Sequence, residues 1–303
     1  MAKPFSINAT TKLAGVMGGS VTHSRSPLLH QFWLRQLGVN GAYVPLPVAH
    51  PAGFEEAVRG LAQAGFQGAN VTIPYKEAAC ALCDDLTPVA RRAGAVNTLQ
   101  FTRGDNGALR ILGDSTDGEG FLASLERHGV WLRPGERVLV LGAGGAARAI
   151  TAALLEQGLD VLVSNRTLER AQQLVAPVTR GGVGGGQVVP WDAWPGCLSG
   201  EGVRPVRVLV QATSLGMKPG AQPDWAGALA VAPANMVVAD IVYTPLQTPL
   251  LQAALARGLK TVDGLGMLME QAVPGFERWF GQRPEVDATT RALLLESLEG
   301  HRD

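Results

Sequence analysis

The feature that most constrains this chain is a glycine-rich turn set between a strand and a helix. Arg137-Val138-Leu139-Val140-Leu141 is an unbroken apolar run, Gly142-Ala143-Gly144-Gly145-Ala146-Ala147 follows it, and a helix-forming stretch over 146–157 ends at Gly158. A pyrophosphate approaches backbone closely only where Cβ atoms are missing, and free amides at a helix start hold it. Gly142, Gly144 and Gly145 remove the Cβ atoms, Ala146 opens the helix, and Ala147 stands where Gly or Ala lets helix pack on strand. Glycine turns are common, but here strand, helix and the next strand (Leu159-Asp160-Val161-Leu162-Val163) are all legible. The expectation is the phosphate turn of a dinucleotide-binding unit, and hence a nicotinamide-dependent enzyme.

The next contact with such a ligand falls roughly 20 residues on, where an acidic residue binds a ribose 2′-hydroxyl and a basic one a 2′-phosphate. The sequence there is Ser164-Asn165-Arg166-Thr167. Asn165 and Thr167 can donate hydrogen bonds to phosphate oxygens and Arg166 supplies a planar charged fork, whereas Asp or Glu would repel the phosphate. NADP is therefore expected over NAD. The plainer reading of the same residues is a helix N-cap with a solvated Arg.

Around this unit the apolar runs and helix-length segments alternate, the pattern of an α/β fold with a largely parallel sheet. Strands are expected at Leu13-Ala14-Gly15-Val16-Met17, Ala42-Tyr43-Val44-Pro45-Leu46 and Gly68-Ala69-Asn70-Val71-Thr72, with helices at about 27–37 and 53–64. A third helix is expected after Lys76, with Pro74 in its first turn and Pro88 closing the segment beyond. In the second half, Val206-Arg207-Val208-Leu209-Val210 and Met236-Val237-Val238-Ala239-Asp240-Ile241-Val242 read as strands covered on both faces. The tail reads as helix over about 265–280 and 287–298. Arg180-Gly181-Gly182-Val183-Gly184-Gly185-Gly186 carries five glycines and is expected to be a surface loop, since no strand leads directly into it.

Composition narrows the function. At 303 residues, two domains are expected, and 26 basic against 26 acidic side chains leave no basic stripe for nucleic acid. The N-terminal residues lack a signal-peptide core, and no stretch approaches the roughly 20 apolar residues that span a bilayer. A soluble, intracellular (cytoplasmic) protein with no membrane partner is expected. Three cysteines suggest a reducing compartment. Cys80-Ala81-Leu82-Cys83 lacks the second ligand pair a zinc site needs, so these are expected to be buried helical thiols. No two histidines have ligand spacing, His128 reads as a helix C-terminal residue, and no metal is expected.

Polar groups stand where the front-half strands end, the place where open α/β sheets bind ligands. They are Ser24-Arg25-Ser26, Asn70-Val71-Thr72-Ile73-Pro74-Tyr75-Lys76, Gly94-Ala95-Val96-Asn97-Thr98 and Asp114-Ser115-Thr116-Asp117-Gly118. On these motifs, in this order and spacing from about 13 to 280, the chain resembles the shikimate dehydrogenase family, which interconverts 3-dehydroshikimate and shikimate with NADP(H) on the way to chorismate and the aromatic amino acids. The resemblance implies that Ser24 and Ser26 bind the substrate carboxylate. It implies that Thr72, Lys76, Asn97 and Asp117 face the ring hydroxyls, and that Gln271, in Gly264-Leu265-Gly266-Met267-Leu268-Met269-Glu270-Gln271, is a substrate ligand. The implied cofactor side includes Thr213, Ser214, Ile241, Gly264 and Met267. Tyr243 belongs to the same stretch and is counted among the substrate contacts.

Hydride transfer to a ketone leaves an alkoxide that must gain a proton, and the reverse reaction needs the same group to take it back. A Lys paired with an Asp can do both, so Lys76 and Asp117 are the expected proton relay. Read singly, Lys76 is a first-turn lysine and Asp117 an N-cap, Ser24 and Ser26 can cap the helix at Pro27, Asn97 can satisfy a strand end, and Gln271 can be exposed. One departure from the family pattern is Gln211-Ala212-Thr213-Ser214, where Asn is usual in place of Gln211, which puts the strand end near the nicotinamide in question.

A two-domain α/β protein is thus expected. Residues 1–116 and 264–303 form a substrate-binding domain and residues 117–263 a Rossmann-type, doubly wound NADP domain, with a cleft between them whose closure excludes water. Two other readings compete: a quinate or quinate/shikimate dehydrogenase using NAD(P), and a non-catalytic ligand-binding module of the same fold. Oligomeric state has no signature in the sequence, and a homodimer is the assembly entertained.

Overall fold

The computed structural model describes residues 7–104, 106–175, 185–199 and 204–299. The chain divides into two compact units, one within Met1–Thr116 and Gln271–Ser297, the other within Asp117–Glu270 and Leu298–Asp303.

The first unit opens with β1 (Lys12–Gly18), α1 (Ser26–Gln36), β2 (Gly41–Pro47), α2 (Phe54–Gln63), β3 (Gly68–Val71) and α3 (Lys76–Leu82). It continues with β4 (Asp85–Leu86), α4 (Pro88–Ala93), β5 (Thr98–Arg103) and β6 (Leu109–Asp114). The sheet order is β2-β1-β3-β5-β6-β4. β1 pairs in parallel with β2 and β3, whereas β5 runs antiparallel to both β3 and β6. Parallelism is therefore broken by a hairpin that sequence reading treated only as polar motifs. Two prolines also act otherwise than expected. Pro74 lies in the turn before α3, and Pro88 opens α4 with the Thr87 hydroxyl accepting from the Ala90 amide, because a first-turn Pro forfeits no hydrogen bond.

One face of this sheet is covered by α2, where Phe54 and Val58 pack with Met17, Val71, Leu99 and Ile111. Elsewhere in the unit an aromatic group gathers around a fully buried His30, whose ring stacks on Tyr43 at 3.8 Å between centroids and stands 5.8 Å from Trp33. Burial holds His30 down to about 3, against the hydrogen bond it makes to the Ser26 carbonyl, so the ring is neutral.

The second unit restarts the count with α5 (Asp117–Arg127), β7 (Arg137–Leu141), α6 (Gly145–Glu156), β8 (Asp160–Ser164), α7 (Leu168–Val175) and β9 (Gly186–Val189). It continues with β10 (Val206–Gln211), α8 (Trp225–Leu229), β11 (Val237–Asp240), α9 (Pro249–Ala256) and β12 (Lys260–Val262). α10 (Gly264–Phe280) then carries the chain past Glu270 into the first unit's residues, and α11 (Ala288–Glu299) follows. The sheet order is β12-β11-β10-β7-β8-β9 with every pairing parallel, the doubly wound arrangement. The unbroken apolar runs now have their reason. Val138 and Val140 of β7 point into a core with Phe121 and Ile150, while the alternating Leu139 and Leu141 point into another with Trp225 and Leu250.

Of the expected glycine-rich loop, residues 180–184 lie outside the described residues, and Gly186 begins β9, pairing with Val161. The cysteines also depart from expectation. Cys80 is within α3 but Cys83 follows its end, both are half-buried and free, and burial pushes the Cys83 thiol up to about 12. No helix among the described residues is long and apolar enough to cross a membrane.

Candidate active site

In the first unit, the polar motifs meet at one edge of the sheet because of how its strands run. β1 and β3 are parallel and end at Gly18 and Val71, so the segments carrying Ser24, Ser26, Thr72 and Lys76 leave from adjacent strand ends. β5 is antiparallel, so its first residue, Thr98, pairs with Asn70 at that same edge and with Asp114 at the end of β6. Asn97 and Thr116 therefore flank the edge from strands of opposite direction. Backbone bonds tie the segments down: the Thr72 amide donates to the Met17 carbonyl at 2.8 Å, and the Asn97 amide to the Asp114 carbonyl at 3.0 Å.

Asn97 is the hub. It is buried, its Nδ2 donates to Thr116 Oγ1 at 3.0 Å and to Gln271 Oε1 at 3.2 Å, and its Oδ1 accepts from the Thr116 amide at 2.8 Å. Gln271, far away in sequence, is buried as well, and its carbonyl accepts from the Thr116 hydroxyl at 2.8 Å. Asn97 and Gln271 are thus neither a plain strand end nor an exposed helix residue.

Lys76 is half-buried at the start of α3, and its carbonyl accepts from the Val96 amide at 2.9 Å. Ser26 begins α1 and is buried. Ser24 is half-buried, with its Oγ accepting from the Ser26 amide at 3.3 Å, so it does help to start the helix. The neighbouring Asp114 is a brace rather than a ligand: Oδ2 pairs with Arg278 and Oδ1 accepts from Thr87. Sequence reasoning assigned no role to Asn70, Thr98 or Thr116. All three stand in the quoted motifs, but the Asn70–Thr98 and Thr116–Gln271 contacts join residues distant in sequence.

In the second unit, Asp117 is buried at the first turn of α5. Gly142 has φ +121°, and a Cβ there would stand 2.7 Å from the Ala212 carbonyl oxygen. Gly144 is the N-cap of α6, no side chain caps the helix, and a Cβ there would meet nothing within 4 Å. A strand end with no room for a side chain, followed by open space over uncapped helix amides, fits a pyrophosphate. Gly145 and Ala146 start that helix, and buried Ala143 and Ala147 pack into the core beside β7. At the end of β8, Asn165 Nδ2 donates to the Thr167 carbonyl at 2.9 Å, leaving Arg166 and Thr167 exposed.

The ends of β10 and β11 carry the remaining candidates. Gln211 is fully buried. It donates to the Leu215 carbonyl (2.9 Å) and Asp240 Oδ1 (3.2 Å), and its Oε1 accepts from the Thr213 amide. It pairs in register with Leu141 and Asp240, so the longer amide is absorbed without displacing the strand end. Asp240 also accepts from the Val242 amide (2.9 Å) and the Thr248 hydroxyl (2.7 Å). Burial nevertheless pushes its carboxyl up to about 6. Thr213 and Ser214 follow Gln211, and Ile241 and Tyr243 follow Asp240, with Tyr243 half-buried. Gly264 is brought against the Ile241 carbonyl, and Met267 joins the same core as Ile241.

Fold and site together define an oxidoreductase of the dinucleotide-dependent class. The chain belongs to the shikimate dehydrogenase family. It matches the shikimate dehydrogenase substrate binding domain over residues 16–99, the shikimate/quinate 5-dehydrogenase model over 132–183 and the shikimate 5'-dehydrogenase C-terminal domain over 264–294. It is 58% identical over 292 residues, 96% of this chain and 98% of the other, to the shikimate dehydrogenase (NADP(+)) of Gluconobacter oxydans. Among solved structures it is similar to shikimate 5-dehydrogenase from Thermus thermophilus in complex with NADP(H) and shikimate. The TM-score is 0.79 and the identity 36%, over 94% of this chain and 99% of that one. The quinate dehydrogenase of Corynebacterium glutamicum in complex with NAD aligns with TM-score 0.81 at 28% identity, over 94% of this chain and 99% of that one.

Proposed function

We propose that this protein catalyses the NADP-dependent, reversible reduction of 3-dehydroshikimate to shikimate, a step towards chorismate and the aromatic amino acids. The observation that carries the reading is the buried, uncharged Asn97–Thr116–Gln271 network at a sheet edge that also bears Lys76 and a serine pair. Such a set suits a ring with several hydroxyls and one carboxylate, and the identity to a shikimate dehydrogenase (NADP(+)) supports it.

The first unit takes the substrate: Ser24 and Ser26 the carboxylate, Thr72, Lys76, Asn97 and Gln271 the ring hydroxyls, with Asp117 and Tyr243 as further substrate contacts. Gly142 to Ala147 hold the pyrophosphate, Asn165, Arg166 and Thr167 the 2′-phosphate, and Thr213, Ser214, Ile241, Gly264 and Met267 the nicotinamide half. NADP(H), when bound, donates or accepts the hydride. Lys76 Nζ gives a proton to the carbonyl oxygen as it becomes a hydroxyl and takes it back in the reverse direction. The Asp117 carboxylate orients that ammonium and holds its charge. The protein works in the cytoplasm, and the homodimer entertained for it is read out by sedimentation.

A spectrophotometric assay with shikimate or quinate, each against NADP⁺ and NAD⁺, tests the reading. Shikimate with NADP⁺ is the expected best pair. Turnover of quinate alone, or equal use of the two nucleotides, sinks the substrate or the 2′-phosphate assignment respectively. Lys76→Ala should lower kcat by about 10² or more, and a near-normal rate removes Lys76 from the proton transfer.

A further inference from the structure

One row of residues crosses the carboxyl ends of four strands in the second unit. Asp240 of β11 pairs with Gln211 of β10, Gln211 with Leu141 of β7, and Leu141 with Ser164 of β8. The phosphate turn leaves this row after Leu141, and Asn165 to Thr167 leave it after Ser164. The segments read as holding the nicotinamide half, Thr213 with Ser214 and Ile241, leave it beyond Gln211 and Asp240. A buried carboxylate therefore stands at the nicotinamide end of the row.

That carboxylate is held by neutral groups alone. Backbone settles the orientation of the Gln211 amide, since its Nε2 meets the Leu215 carbonyl and its Oε1 the Thr213 amide, so a neutral N–H donates to Asp240 Oδ1. The Val242 amide and the hydroxyl of Thr248, the N-cap of α9, complete the set. Asp240 lies two residues after Val238, on the face covered by α8 and α9, and neither helix contains a charged residue. On the flanking strands, Lys260 pairs with Val237 and Arg207 precedes the Val208–Val237 pair, both at the opposite end of β11. Lys218 and Asp224, between β10 and α8, are exposed, and Asp263 after β12 is a second acid, accepting from the Leu265 amide. Among the described residues no cation bonds Asp240, and burial raises its carboxyl to about 6.

An uncompensated charge in a buried site discriminates between ligands that differ in charge. The nicotinamide ring is cationic in NADP⁺ and neutral in NADPH, while the rest of the two nucleotides is the same. We propose that the Asp240 carboxylate sets the redox preference of the nucleotide site, favouring NADP⁺ over NADPH. Its oxygens are engaged by Gln211, Val242 and Thr248, so it acts through its field. The same field favours hydride transfer from NADPH to the ketone, because positive charge develops on the ring as the hydride leaves. The proposal rests on the reading of Ile241, Gly264 and Met267 as contacts of the nicotinamide half.

Equilibrium binding of NADP⁺, NADPH and adenosine 2′,5′-bisphosphate tests this without turnover. Asp240→Asn keeps the shape and removes the charge. At pH 8 it should raise the Kd for NADP⁺ by about tenfold, the order of effect of a unit charge felt over roughly 10 Å at an effective dielectric of about 20. The Kd values for NADPH and the bisphosphate should stay within about twofold. In the wild-type protein the ratio of the two dinucleotide Kd values should move towards that of Asp240→Asn as pH falls through about 6. The 2′-phosphate titrates in a similar range but is common to both dinucleotides and cancels in the ratio. This pH series decides the matter if Asp240→Asn does not fold. Equal changes for NADP⁺ and NADPH, or a ratio that ignores pH, overturn the role of the charge. Ile241→Ala checks the reading beneath: it should weaken both dinucleotides and spare the bisphosphate. If it spares all three, the nicotinamide half does not lie at β11 and the proposal falls with that reading. If it weakens both dinucleotides while Asp240→Asn shifts them equally, the placement stands and only the charge effect is lost.

Discussion

Asp240 shows what a single buried carboxylate costs. It is 2% exposed, accepts from Gln211, Val242 and Thr248, and still has its carboxyl raised from 3.8 to about 6, because loss of hydration outweighs three hydrogen bonds. A folded-state pKa above the unfolded one means that the folded protein binds its proton more tightly. The stabilisation is complete below pH 3.8 and is lost as pH rises through about 6. Asp240→Asn keeps the shape and removes the titration. At pH 8 it should stabilise the protein by about 3 kcal/mol, the free energy of a two-unit shift, and at pH 4 it should gain almost nothing. Urea unfolding at the two pH values measures this, and an equal effect at both would show that the charge at Asp240 is not what matters.

At the scale of elements, legibility followed periodicity. β7, β8, β10 and β11 announced themselves as apolar runs because residues on both faces are covered. The β5–β6 hairpin was missed for the opposite reason: Thr98-Leu99-Gln100-Phe101-Thr102-Arg103 alternates, with Gln100 half-buried and Thr102 and Arg103 exposed, and so lacks the unbroken run. β12, with three residues, and β9, beside the glycine-rich stretch, are edge strands too short to show a pattern. At the site, the sequence displayed Asn97 and Gln271 as separate motifs, but their meeting across 174 positions exists only after the sheet and α10 form. The turn after β7 was legible because its requirement is local. Gly142→Ala would combine φ +121° with a Cβ 2.7 Å from the Ala212 carbonyl oxygen, against backbone that cannot yield as a side chain can. It should destabilise the protein by about 1–3 kcal/mol in thermal unfolding without nucleotide, and weaken NADPH binding besides. A variant of wild-type stability would mean that this turn can relax.

For the whole molecule, the order of the chain matters as much as the two sheets. The first unit is discontinuous: β1 to β6 are completed by residues after Glu270, where Trp279 Nε1 donates to the Leu99 carbonyl at 2.9 Å and leaves no room for a Cβ at Gly68. The second unit is nearly continuous and has its own two apolar cores. Each unit is therefore a candidate for cooperative opening of its own, and a ligand that binds one folded unit stabilises it by mass action. NADPH at about 100 times its Kd should add about 2.7 kcal/mol to the unit it binds. Native-state hydrogen exchange should show this as slower exchange at Val138, Leu139, Val140 and Leu141 of β7 and at the neighbouring β8 and β10. Shikimate alone should instead slow exchange in β1, β3 and β5. The contrast depends on each ligand having its determinants mainly in one unit. If NADPH protects β1 and β3 as strongly as β7, opening is global and the units have no separate stabilities. If shikimate protects β7 but not β3, the assignment of the substrate to the first unit is wrong.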